Sequence, residues 1–262
     1  MSAVAGARLS RLPATRLLER NLTRYRRAWI VVVSGFGEPL FYLLGIGFGV
    51  GAFVGTVSEN GHPLSYAAFV APGLMASSTM NGALYETGFN FFYKLKYMKL
   101  YEGILATPLS IFDVALGEMA WALVRGNIYA LAFLLVMLIL GLIKSPWAVL
   151  ALPASLLTGF AFSALGTAVT TFVRQWQDFD IVLTLLLPMI LFSGTFYPVD
   201  VYPIPLRVLV ELTPLYRGID LLRSLTTGGI GPWVLMDVAY LAALGIGALW
   251  LATTRLNRLL LR

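Results

Sequence analysis

The chain has 262 residues, of which 58% are hydrophobic and only 12% charged, with a formal net charge of +6 and no cysteine. That composition excludes disulfides and thiolate metal sites, and it excludes an ordinary soluble domain. In a soluble protein the basic excess would point to nucleic acid. Here Lys and Arg gather at the ends of apolar runs, where membrane topology and anionic lipid account for them.

The first 27 residues are basic and amphipathic. Leu18, Leu22, Tyr25 and Trp29 recur at helical spacing, with Arg16, Arg20, Arg24 and Arg26 between them. This suits a helix lying on a membrane surface, against the plainer reading of a solvated basic leader. Pro13 is expected to start that helix. No short apolar region with a small-residue cleavage site follows, so no removable signal is expected.

Six apolar stretches follow, each about long enough to cross a bilayer. The first spans Ala28 to Ala52 and contains Glu38-Pro39 and two overlapping G-x-x-x-G pairs, Gly45/Gly49 and Gly47/Gly51, which permit close helix contact. A carboxylate inside a span is costly and marks function by default. Glu38 therefore has three readings: paired with a neighbouring cation, protonated, or near the inner interface because the span begins later. Phe53 to Ser65 is read as a polar loop. The second span, Tyr66 to Phe92, carries Ser77, Ser78, Thr79, Asn81, Glu86 and Thr87, residues that avoid lipid and face other helices or a pathway.

Tyr93 to Pro108 is short, basic and aromatic. Tyr93, Tyr97 and Tyr101 are four apart, beside Lys94, Lys96 and Lys99. It reads either as an interfacial anchor or as a short helix held between two spans, a lever for a soluble partner. The third span lies within Leu109 to Ile143. One straight helix that long would reach about 50 Å, so its first turns, with Asp113, Glu118 and Arg125, are expected in the cytoplasmic interface. Glu118 and Arg125, seven apart, are expected to bond to other elements.

A tight turn from Lys144 to Trp147 leads into span four, Ala148 to Val173, and a charged connection into span five, Ile181 to Tyr197. Pro198 to Pro232 is about half apolar, and Pro205 and Pro214 divide it into two pieces too short to cross. It reads as a pair of half-helices capping the outer end of the bundle, shielded by protein, or as a flat amphipathic surface segment. Span six, Trp233 to Thr254, ends in a basic tail, residues 255–262. With the N-terminus in the cytoplasm, fourteen of the nineteen Lys and Arg fall inside, only Lys144, Arg207, Arg217 and Arg223 fall outside, and Arg125 is unassigned. Six spans then place both termini in the cytoplasm. The expected fold is all-α: a single membrane domain over residues 1–262, with six spans across 28–254.

Enzymatic signatures are missing. His62 is the only histidine, which rules out H-E-x-x-H, and neither G-x-S-x-G nor a P-loop is present. No catalytic residue and no metal site are expected in this chain.

Several local phrases resemble the type-2 ABC exporter permeases: Glu38 to Leu43 (EPLFYL), Phe69 to Leu74 (FVAPGL), Ser193 to Pro198 (SGTFYP) and Pro214 to Arg223 (PLYRGIDLLR). Within that family the chain is most similar to the nodulation-factor and daunorubicin-resistance type permeases, and Leu116 to Trp121 (LGEMAW) resembles the nodulation type in particular. The resemblance implies a permease that exports an amphipathic drug, lipid or lipid-linked glycan across the cytoplasmic membrane. It implies two separate ATPase subunits that bind ATP and Mg, and a second permease, identical or a sister. It further implies that Lys99, Leu100, Tyr101, Glu102, Gly103, Ile104, Leu105, Ala106 and Thr107 form the ATPase-coupling helix. It assigns an outer re-entrant segment containing Pro205, Pro214, Tyr216, Arg217, Asp220 and Arg223. The rival expectation is a proton-coupled secondary transporter using Glu38 or Glu86. No nucleic-acid partner is expected.

Overall fold

The computed structural model describes residues 37, 40–59, 62–98 and 110–260. The N-terminal amphipathic segment, Glu38 and the coupling segment Lys99 to Thr107 lie outside them. Helix α1 (Leu40–Val54) is followed by strands β1 (Thr56–Glu59) and β2 (His62–Ser65), then α2 (Tyr66–Leu84) and α3 (Phe91–Lys96). Next come α4 (Ile111–Ile139), α5 (Ala151–Thr170), α6 (Phe179–Phe192), α7 (Ile204–Glu211), α8 (Pro214–Thr227) and α9 (Trp233–Leu260). The described residues are thus mostly helical. Three helices are long and apolar enough to cross a membrane: Ile111–Ile139, Pro146–Thr170 and Trp233–Leu259.

Helix α2 is the centre. Nearly every side chain from Tyr66 to Ala83 is buried, because α4, α5 and α8 all pack on it. Phe69, Met75 and Met80 meet Phe133 and Met137 of α4, Phe162 of α5 and Leu215, Ile219 and Leu222 of α8 in one cluster. Lipid is as apolar as leucine, so close backbone approach and interhelical hydrogen bonds must hold such a bundle. Two glycines make that approach. A Cβ at Gly166 of α5 would overlap Thr87 Oγ1, and one at Gly218 of α8 would lie 2.8 Å from Thr158 Cγ2. Two of the hydroxyls expected to avoid lipid are buried and bond back to their own helix: Ser77 donates to the Gly73 carbonyl at 2.9 Å and Thr79 to that of Met75 at 3.0 Å.

Several local expectations change. The stretch read as a polar loop contains an antiparallel hairpin with Thr56 opposite Ser65 and Glu59 opposite His62. The second apolar helix does not stop at Phe92. A π-helical turn, Tyr85–Asn90, carries α2 directly into α3 and so to Lys96. In the first turns of α4, Glu118 and Arg125 are both buried against other helices, while Phe112 is exposed. The start of α4 is fixed by Ser110, whose hydroxyl accepts from the Asp113 N–H while Asp113 accepts from the Ser110 N–H, a reciprocal cap. Pro205 and Pro214 each sit in the first turn of a helix, where a missing N–H costs nothing. They begin α7 and α8, the two short helical pieces into which the segment was expected to divide. The glycine pairs of α1 divide: Gly47 and Gly51 approach Ala67 and Tyr66, while nothing lies within 4 Å of a Cβ at Gly45 or Gly49.

Helix α6 differs from its neighbours. Only Phe179 at its start is buried. Ile181, Leu185 and Leu187 are 61–69% exposed.

Candidate functional site

The π-helical turn brings the Glu86 carboxylate into the protein interior, and three further charged side chains, Lys94, Glu118 and Arg125, gather around it. Arg125 Nη1 of α4 donates to Glu86 Oε2 at 2.9 Å, and Asn90 Nδ2 donates to the same oxygen at 2.9 Å. Lys94 Nζ of α3 donates to Glu118 Oε2 of α4 at 2.6 Å and lies 3.5 Å from Glu86 Oε1. Arg125 Nε donates to the Tyr129 hydroxyl at 2.9 Å, and its guanidinium sits 5.4 Å from the centre of the Tyr85 ring. Each of these four charged side chains is at most 7% exposed.

Two cations and two carboxylates make the cluster neutral, which is the condition for keeping charge away from water. The π turn shifts the side-chain register and leaves backbone carbonyls without their usual partners. The Thr170 hydroxyl of α5 fills part of that gap, 2.9 Å from the Thr87 carbonyl. Glu118 and Arg125 were expected from the sequence to bond to other elements, and they do; Glu86, expected to face other helices or a pathway, meets Arg125 of α4. Lys94 was assigned to the cytoplasmic basic segment and is instead buried at the heart of the network. The signal that finds it is the run Glu86, Asn90, Lys94, three residues spaced by four along one helical run.

At the opposite pole α7, α8 and the start of α9 enclose a polar pocket of about 250 Å³. Arg217 Nη1 donates to Asp237 Oδ1 at 3.1 Å, and its guanidinium lies 5.7 Å and 5.9 Å from the Tyr216 and Tyr240 ring centres. Its Nε is buried with no acceptor. Arg223 donates to the carbonyls of Phe69 at 3.2 Å and Gly194 at 2.6 Å, and stacks 3.9 Å from the centre of the Phe69 ring. It ties α8 to α2 and to the end of α6. Arg207 bridges Asp200 at 2.5 Å and Glu211 at 2.7 Å on the exposed rim. Asp220 lies beside Asp237 and faces the pocket. Of the residues expected in this segment, Tyr216, Arg217, Asp220 and Arg223 come together here, while Pro205 and Pro214 shape the backbone. Sequence reasoning missed Asp237, a lone carboxylate in an otherwise apolar helix.

Between α2, α5 and α6 runs an apolar cavity of about 490 Å³, walled by Leu84, Phe162, Val169, Val182 and Met189 and ending at Pro214. Among the described residues no group of three or more His, Cys, Asp or Glu is placed to hold a metal ion.

The described residues thus form a helical domain with membrane-length apolar helices and a buried cluster of paired charge. Residues 14–226 match the ABC-2 type transporter family, and the chain belongs to it. It is 35% identical to Nodulation protein J of Rhizobium leguminosarum bv. trifolii over 245 residues, 93% of this chain and 92% of that protein. It is 35% identical to Nodulation protein J of Sinorhizobium fredii over 244 residues, 92% of each. It is 23% identical to the inner membrane transport permease YadH of Escherichia coli over 225 residues, 80% of this chain and 85% of that protein. The chain is an ABC transporter permease subunit, a membrane component of transport rather than a catalyst.

Proposed function

We propose that this permease exports an amphipathic compound across the cytoplasmic membrane and is driven by two separate ATPase subunits, with a second permease, identical or a sister, completing the pathway. The observation that carries the reading is the family match over residues 14–226, to which the charge cluster adds a physical rationale. Glu86 and Lys94 on one side, and Glu118 and Arg125 on the other, join the two helices that flank residues 97–110. A push delivered to that connection then moves both helices together rather than splaying them. Lys99 to Thr107 is assigned as the coupling helix that receives the push. ATP and Mg would be held by the partner, since the sequence has no P-loop.

The same reading takes all six apolar stretches as crossings, α7 and α8 as an outer re-entrant hairpin, and both termini as cytoplasmic. The burial of α8 against α2, α5 and α9 supports the hairpin over a flat surface segment. The distribution of Lys and Arg supports the orientation. A proton-coupled mechanism through Glu86 is disfavoured because Arg125 and Lys94 already neutralise that carboxylate in place.

The test is to purify the chain together with its neighbouring gene products and measure ATP hydrolysis. An ATPase is expected to co-purify, with hydrolysis that responds to charge reversal at Lys99 or Glu102. Absence of an ATPase, or indifference to both reversals, would overturn the coupling assignment.

A further inference from the structure

Asp237 is fully buried near the start of α9, and only one of its two oxygens meets a donor. Oδ1 accepts from Arg217 Nη1 at 3.1 Å, while Oδ2 is buried without a hydrogen-bond partner among the described residues. An anionic oxygen held in that way keeps the whole cost of leaving water. Its neighbour is another acceptor: the Asp220 carboxyl of α8 lies within hydrogen-bonding reach of Asp237. Two ionised carboxylates cannot bond to each other, since each only accepts. One proton resolves both difficulties. Placed on Asp237 Oδ2, it turns the orphaned oxygen into a donor, gives it Asp220 as acceptor and leaves the Arg217 bond to Oδ1 intact.

The charges around the pair decide where that proton sits. Arg217 and Arg223 of α8 attract an ionised Asp220, against Glu211 of α7, which repels it. Arg223 is also spent on the Phe69 and Gly194 carbonyls, and Glu211 shares Arg207 with Asp200 on the rim. Tyr216 and Tyr240 flank Arg217, and the Tyr240 hydroxyl donates to the Leu212 carbonyl at 2.5 Å. Helices α2 and α5 and the turn Pro146–Leu150, packed on the other side of α8, contain no charged residue, and Tyr66 is their only titratable one. Asp220 thus has two guanidiniums within its field and faces the pocket. Asp237, enclosed and bonded through one oxygen, is the partner that carries the proton.

We propose that Asp220 and Asp237 share one proton, which latches α8 to α9 and exchanges with solvent through the polar pocket that Asp220 lines. Such a latch goes beyond the export reading and is independent of it. Losing the proton sets two anions side by side and weakens the seam between the two helices. Folding takes up a proton that the unfolded chain releases at neutral pH. The latch is therefore present on the acid side and is lost as pH rises through the titration of the pair.

The test is the infrared spectrum of the full chain at about pH 7 in dodecyl maltoside, a detergent without a carbonyl group. An ordinary carboxyl is ionised about a thousandfold there, so the carbonyl stretch of a protonated acid marks a retained proton. The wild type should show that band. Asp237→Asn should abolish it, because the amide replaces the protonated acid, accepting from Arg217 and donating to Asp220. Asp220→Asn should abolish it too, because its amide donates to Asp237 Oδ2 and leaves that carboxyl ionised. Glu211→Gln should leave it in place.

Thermal midpoints give a second readout. The wild-type midpoint should fall between about pH 6 and about pH 9, and that fall should be missing in Asp237→Asn, leaving the variant the more stable of the two on the alkaline side. A plain Arg217–Asp237 ion pair predicts the reverse: no protonated-acid band, and Asp237→Asn less stable than the wild type across the range. That result, or a band of undiminished intensity in either Asn variant, overturns the proposal. Should one Asn variant fail to fold, the wild-type band and the other variant decide.

Discussion

Arg125 of α4 reaches across to Glu86 at 2.9 Å inside the π-helical turn that joins α2 to α3. The bond is made at the place where one helix departs from regular geometry and the other carries a cation in an apolar stretch. Removing one partner unbalances the four-charge cluster and leaves a net charge buried. Arg125→Leu or Glu86→Leu alone should destabilise the protein by about 3–5 kcal/mol. The double variant should recover a substantial part, read as a double-mutant cycle of thermal midpoints in detergent. Additive losses would show that the pair is not coupled.

Lys94 and Lys96 stand two residues apart with opposite environments, the first buried against Glu118 and Glu86 and the second exposed. An amine-reactive reagent applied to the folded protein in detergent should modify Lys96 and Lys144 readily and spare Lys94, as read by peptide mass spectrometry. Labelling of Lys94 at the rate of Lys96 would place it at the periphery and dismantle the cluster.

Close packing of α8 on α5 depends on Gly218 and Thr158. Gly218→Ala should cost about 1–3 kcal/mol, because the new Cβ would lie 2.8 Å from Thr158 Cγ2. Thr158→Ser in the same chain removes that methyl and should restore most of the thermal midpoint. Failure of the rescue would mean that the contact is not the source of the loss.

Asp178 caps the turn that leads into α6. It accepts from the backbone N–H groups of Arg174 at 2.8 Å and Gln175 at 3.2 Å, and these bonds hold its carboxyl below the ordinary carboxylate range. A lowered folded-state value means that the contribution is present at neutral pH and is lost as pH falls through that value. Hydrogen-exchange protection of the Arg174 and Gln175 amides should therefore fall on acidification in the wild type. In Asp178→Asn the protection should lack this acid-side step. The side chain is solvent-exposed, so the effect is local rather than global.

The helical plan was legible because it follows from the length of apolar runs, and α4, α5 and α9 appear where those runs do. What escaped depends on partners distant in sequence. Lys94 reads as one of three lysines in a basic segment. Only the buried Glu118, twenty-four residues on, explains why it turns inward. Asp237 went unread, because its partner, Arg217 of α8, lies twenty residues earlier in the sequence. The β1–β2 hairpin was legible and went unread: Asn60-Gly61 between two short alternating runs is a strong hairpin signal. In the candidate site, Glu86, Glu118 and Arg125 announced themselves by the cost of burying charge, but no periodicity names which carboxylate meets which cation.

The sparse packing of α6 has a mechanical consequence. The helix is secured at its ends, by Phe179 among the rings of Phe89, Phe92 and Trp176 and by Gly194, whose carbonyl is held by Arg223 just beyond its last turn. Between those fastenings it behaves as a lever with an aromatic fulcrum. Fourteen residues make about 21 Å of rod, and a swing of about 20°, within the usual range of membrane helix tilts, would carry the far end about 7 Å. That stroke would release the Arg223–Gly194 bond and the contacts of Leu186, Met189 and Ile190 with the core, while the exposed Ile181, Leu185 and Leu187 would oppose it little.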